Sequence, residues 1–224
     1  MNWWARWERY APLAGVTAVV LWVIGIILLT GPGHIGNNSS DAPVAILAKY
    51  AAHSTAIQWG AWFVMLGALA FLWFVGSLRS AIFTAEGGTG RLATLVGMGG
   101  VATAIGVLLA HVPSFAAATT SDNLTAPAAK ALILMDDVFF YAAEFSVAVF
   151  FFAAAVSIFR FAVLPGWLGW VSLVFAVLAV IPPVGWAILG LGLPLWTLVV
   201  SWLLFSKQRG APVGTTPAAS TPVS

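Results

Sequence analysis

The sequence predicts an all-α polytopic membrane protein, a bundle of six transmembrane helices with both termini in the cytoplasm, and three observations predict it. Hydrophobic residues make up 61% of the 224 and charged residues only 7%, against about 25% charged in a soluble domain. There is too little polar surface here to coat a water-soluble globule. Apolar stretches recur at close to the roughly 20 residues that a helix needs to cross about 30 Å of hydrocarbon. Laid across a bilayer in alternating directions, those stretches also sort the cations to one side.

The first stretch runs from Ala11 to Thr30 without a charge and is ended by Gly31-Pro32-Gly33. It follows Arg6 and Arg9, so a signal peptide has to be considered. Its apolar core exceeds the ~7–15 residues of a signal core, and no A-x-A-like site follows, which argues for a retained anchor. Further spans are expected at Ile57–Leu78, Leu92–His111, Ala131–Phe159, Gly166–Ile181 and Val184–Phe205. The fifth is short. Pro182-Pro183 forces a tight turn after it, and Gly190, Gly192 and Pro194 are expected to bend the sixth.

With the N-terminus inside, Arg6, Arg9, Arg79, Arg91, Arg160, Lys207 and Arg209 face the cytoplasm, leaving Lys49 and Lys130 outside. Trp3, Trp4, Trp7 and Tyr10 precede the first span, and Trp59, Trp62, Trp167 and Trp170 lie near the starts of others, where interfacial anchors belong. Between spans, Pro43 opens a stretch with Val44, Leu47, Ala48 and Ala51 at helical spacing, after a start signal at Ser40 or Asp41. This predicts a short amphipathic helix on the outer surface. Pro113–Ala129 reads as a polar outer loop, with Thr125 and Pro127 opening the fourth span. The tail from Gly210 to Ser224 has no apolar period and reads as disordered.

Small residues on the third span, Gly97, Gly99, Gly100, Ala104 and Gly106, with Gly60 and Gly67 on the second, permit close backbone approach. They predict a central third helix. Ser77-Leu78-Arg79 and Ser157-Ile158-Phe159-Arg160 each close a span, which fits either a duplicated hairpin or an Arg marking each cytoplasmic exit. Dominance of Ala, Gly and Val, with Arg over Lys, is a bias common in bacteria with GC-rich genomes, so the expected location is a bacterial cytoplasmic membrane.

Several chemistries are excluded. The chain has no cysteine, which removes disulfides, thiolate metal sites and cysteine nucleophiles. A pI near 9.3 comes from cations scattered singly between apolar runs, so nucleic acid is not an expected partner. Gly87-Gly88-Thr89-Gly90 lacks the strand, helix and lysine of a phosphate cradle. No histidine lies well inside a span, as haem ligation would need. No cofactor is expected.

Acids within a span occur only in the fourth: Asp136, Asp137 and Glu144. Counting about 20 residues back from Arg160 puts the outer boundary near Phe139 or Phe140. Asp136 and Asp137 then lie at headgroup level, where a helix dipole favours acids and Lys130 is near. Glu144 lies deeper, where a lone carboxylate costs at least a few kcal/mol, so it is expected to face the bundle interior, be paired or be protonated. Asp137, Tyr141 and Glu144 share one helix face at i, i+4 and i+7. His34, His53 and His111 all fall on the outer side. These residues predict an outward-facing ligand or ion pocket floored by Glu144 and rimmed by His111, Asp136 and Asp137, with Tyr141 on the same face. His111, Asp136, Asp137 and Glu144 are also competent ligands for a divalent metal, although the spacing matches no metal motif.

The run Leu164-Pro165-Gly166-Trp167-Leu168-Gly169-Trp170, an apolar stretch, and Pro182-Pro183-Val184-Gly185-Trp186 before a last span resemble bacterial six-helix membrane proteins of unknown function. The resemblance covers mainly the last third of the chain and implies the six-helix count; that family has no assigned activity, so no functional residue is carried over. Three functions stay open: a small transport or sensing component using the Glu144 pocket, a structural subunit that binds itself or a membrane partner, and a metal-dependent membrane hydrolase.

Overall fold

The computed structural model describes residues 10–31, 39–88 and 90–210. Regular structure among them is entirely helical. A 3₁₀ turn at Ala11–Leu13 leads into α1 (Ala14–Thr30); α2 is Pro43–Ala85, α3 Arg91–Leu109, α4 Val112–Thr119, α5 Ala126–Phe161, α6 Gly166–Ala179 and α7 Pro182–Ala187, followed by a π-helical segment Ile188–Gly192 and α8 (Leu193–Gly210). Five runs are long and apolar enough to cross a membrane: Ala11–Thr30, Pro43–Ala85, Arg91–Thr119, Ala126–Phe161 and Pro182–Lys207. The apolar α6, with 14 residues, rises only about 20 Å against about 30 Å of hydrocarbon. Six spans were expected, the fifth of them short; the structure has five long apolar helices and a short one where the fifth was expected.

Neighbouring helices run antiparallel along seams cut by glycine. In the α3–α5 seam, a Cβ on Gly99 would lie 2.9 Å from the Phe150 backbone, and one on Gly106 would lie 2.8 Å from Ala143 Cα. Gly25 of α1 and Gly60 of α2 face each other in the same way. At mid-bundle the seams converge on a buried aromatic cluster of Phe71, Phe74, Phe150, Phe151 and Trp196, with ring centroids 5.4–6.3 Å apart. The expectation of a central third helix fails. Glycines bring α3 close to α5 on one side, while Leu95, Met98, Val101 and Ile105 stay exposed on the other. The central helix is α5, which packs against α2, α3, α4, α6 and α7.

The outer segments differ from expectation too. α2 is kinked at His53 (φ −128°, ψ 20°), where a short helix from Pro43 meets the long one that follows, so the expected short helix ahead of the second span is present. Ala42, not Ser40 or Asp41, precedes its first residue, and Asp41 pairs with Lys49 at 2.7 Å. Val44, Ala48 and Ala51 are exposed along one side of this segment. It buries the opposite pair, Ile46 and Tyr50, against Ala117 and Ala118 of α4 and Ile133 of α5. This satellite core exists because the expected polar loop after Pro113 is itself helical. Thr125 and Pro127 do open α5. Lys130 bonds the carbonyl oxygens of Ser39 and, at 3.0 Å, Asp41, so it ties down the chain ahead of α2 and does not pair with the neighbouring acids.

At the other end, Trp196 donates to Ser172 Oγ at 2.9 Å, Gly192 faces the Phe175 ring, and Lys207 donates to the Val163 carbonyl at 2.5 Å. These contacts match α6 to the Leu193–Lys207 part of α8, each about 20 Å long. Pro182–Gly192 continues the same helical run antiparallel to the end of α6, with Gly185 set against the Ala179 carbonyl. The expected Pro182-Pro183 turn is present, and the expected bend at Gly190 and Gly192 is the π-helical segment. Trp59, Trp62, Trp167 and Trp170 are exposed as anchors require, whereas Trp22 and Trp196 belong to the core. Trp3, Trp4, Trp7, Arg6, Arg9, His34 and the tail beyond Gly210 lie outside the described residues.

Candidate functional site

Where α3 ends, His111 (φ −117°, ψ −7°) turns the chain into α4. Its Nδ1 lies 2.8 Å from the Val107 carbonyl. A carbonyl can only accept, so Nδ1 carries the hydrogen, and in the neutral ring Nε2 is left with a lone pair. Asp136 comes from α5 and caps the first turn of α4: it accepts the Ser114 N–H at 3.3 Å and the Ser114 hydroxyl. With that hydrogen given to Asp136, the Tyr50 hydroxyl donates to Ser114 Oγ at 3.3 Å. A chain of Tyr50, Ser114 and Asp136 thus locks α2, α4 and α5 together.

Two cavities meet beside this lock. One, of about 300 Å³, is lined by Thr30, Ser114, Ile133, Asp136 and Asp137 together with His111. The other, of about 350 Å³, is apolar and lined among others by Trp22, Val64, Val107, Trp186, Leu189 and Gly190. Thr30, His111 and Phe140 border both. Asp137 is half-buried and, unlike Asp136, has no hydrogen-bond or ion-pair partner among the described residues. The pair of cavities therefore offers an apolar chamber leading to a carboxylate and an imidazole lone pair.

The expected floor is not there. Glu144 is 3% exposed and lines neither cavity. Its carboxyl packs against α7, where a Cβ on Gly185 would lie 2.7 Å from Cδ. Pro182–Gly192 fills the space into which that face of α5 would otherwise open. Tyr141 is 51% exposed on the outside of α5 and also lines neither cavity. The structure therefore brings together His111, Asp136 and Asp137, and places Glu144 and Tyr141 elsewhere. Among the described residues no group of three His, Asp or Glu side chains is close enough to hold a metal ion.

Thr30, Ser114, Trp186 and Gly190 were missed as site residues. Thr30 reads as a span end and Ser114 as part of a loop. Only the glycines of the last span gave a signal, and they signalled a bend. Compared with known proteins, the chain matches no family model, no curated protein and no solved structure.

Proposed function

We propose that this chain is a small transport or sensing component of a bacterial cytoplasmic membrane, both ends inside, that binds an amphipathic molecule with a cationic head from the outer side. Arg79, Arg91, Arg160 and Lys207 lie at one end of the bundle, and Lys49 and Lys130 at the other, which supports the cytoplasmic assignment of the first end. The short α6 and the run Pro182–Lys207 supply the fifth and sixth of six spans in this reading. The observation that carries the ligand assignment is the junction of the two cavities at Thr30, His111 and Phe140. An apolar body fits among Trp22, Val64 and Trp186, and the cation meets Asp137. A π-helical lining is in keeping with a binding site, since such segments recur at functional positions.

The test uses the full chain in lipid nanodiscs and hexyltrimethylammonium as probe, measured by equilibrium dialysis. Saturable binding is expected, weakened about tenfold by Asp137→Asn, the loss of one charge-assisted contact. Gly190→Leu is expected to abolish it: a Cβ there meets nothing within 4 Å, so the added side chain has room in the cavity lining. Equal binding by all three proteins would overturn the reading.

A further inference from the structure

At the opposite end from His111, two grooves flank α2, and Leu72, Gly76 and Arg79 border both. One carries the hydroxyls of Ser77, Ser80 and Thr84 among apolar side chains. The other is apolar, with Val75, Met98, Val101 and Ile105. Gly76 leaves the ridge between them bare, since a Cβ there would meet nothing within 4 Å. The Arg79 stem lies across Gly97 of α3, where a Cβ would sit 2.9 Å from its Cδ. The guanidinium is thus held where the grooves join, exposed and without a hydrogen-bond or ion-pair partner among the described residues.

We propose that this junction is a binding site for one anionic phospholipid with a hydroxyl-bearing headgroup. The unpartnered guanidinium supplies the charge complementarity, because its planar fork matches a phosphate through two parallel hydrogen bonds. The apolar groove takes an acyl chain. From Thr94 to Ile105 it follows α3 for about 16 Å, close to half of the ~30 Å hydrocarbon thickness. The groove with the hydroxyls takes the headgroup. Ser77 donates to the Trp73 carbonyl at 3.2 Å and Thr84 to the Ser80 carbonyl at 3.0 Å. Both hydroxyls have spent their hydrogens and present lone pairs, which suit the hydroxyls of a glycerol headgroup better than they suit the phosphate.

The experiment is native mass spectrometry of the full chain after equilibration with equimolar phosphatidylglycerol and phosphatidylcholine of identical acyl chains. One retained phosphatidylglycerol is expected, favoured by about tenfold. Arg79→Gln is expected to bring the two lipids to parity, and Arg79→Lys to keep part of the preference. Gly76→Leu, which extends into open space and leaves the fold intact by circular dichroism, is expected to lower retention of both lipids. Arg91→Gln is the control and leaves the preference in place. Persistence of the preference in Arg79→Gln, or its equal loss in Arg91→Gln, which would mean diffuse surface charge, overturns the site. Neither result depends on what occupies the cavities at the other end.

Discussion

Glycine does opposite work in two regions of this molecule. In the α3–α5 seam, Gly99 and Gly106 exist so that nothing stands between two backbones; the Phe150 and Ala143 main chains occupy the place of the missing side chains. In the π-helical segment, Gly190 borders a cavity, and its missing side chain leaves room that nothing fills. The first arrangement trades side chains for helix contact, the main source of attraction between helices in lipid, where there is no hydrophobic effect to drive association. The second keeps volume open beside a π-helical segment within the last long helical run. Glycine content alone does not separate closure from space.

Substitutions can break or sharpen that contrast. The largest effect is expected for Gly106→Leu, which forces α3 off Ala143 and should cost about 3 kcal/mol of unfolding free energy, read by thermal or denaturant unfolding in micelles. An unchanged midpoint would mean that the seam is not a tight one. Gly185→Ala comes next, at about 2 kcal/mol, because its methyl group meets both the Glu144 carboxyl and the Ala179 carbonyl. Combined with Glu144→Ala, part of that loss should return, and a double-mutant cycle with coupling near zero would show that Glu144 does not pack there. Ser114→Ala removes the hydroxyl shared by Asp136 and Tyr50 and should cost about 1–2 kcal/mol, with faster hydrogen exchange confined to α4 and the start of α2. The smallest change belongs to Gly190→Ala, expected between neutral and about 1 kcal/mol stabilising, since a helical glycine is replaced without a clash. Clear destabilisation by that last variant would show the cavity wall to be closed.

The candidate site was legible in part. His111, Asp136 and Asp137 were recoverable because an acid or a histidine near a span end stands out against hydrocarbon, and helical spacing brings the span ends together. Glu144 stood out for the same reason, yet its depth in the sequence said nothing about what faces it. Gly185 faces it only because the run from Pro182 returns antiparallel to α6 and brings α7 against α5, a contact more than 40 residues away that no periodicity of α5 encodes. Asp136 and Asp137 are adjacent and chemically alike; one is consumed by the Ser114 cap while the other borders the cavity without a partner. That division depends on α4 being a helix, and its sequence, Val112 to Thr119, is too short for a clear apolar period.

The sequence by itself determined the class of solvent. Long uncharged runs can satisfy their backbone hydrogen bonds in lipid only as helices, and the cations at their ends assign the runs to opposite directions. Tertiary structure decided which helix is central, where the short α6 stops, and which acid remains available. Those outcomes depend on side-chain volumes meeting across seams between segments distant in the chain, where one methyl group decides whether two backbones touch, and composition and period carry no record of such meetings.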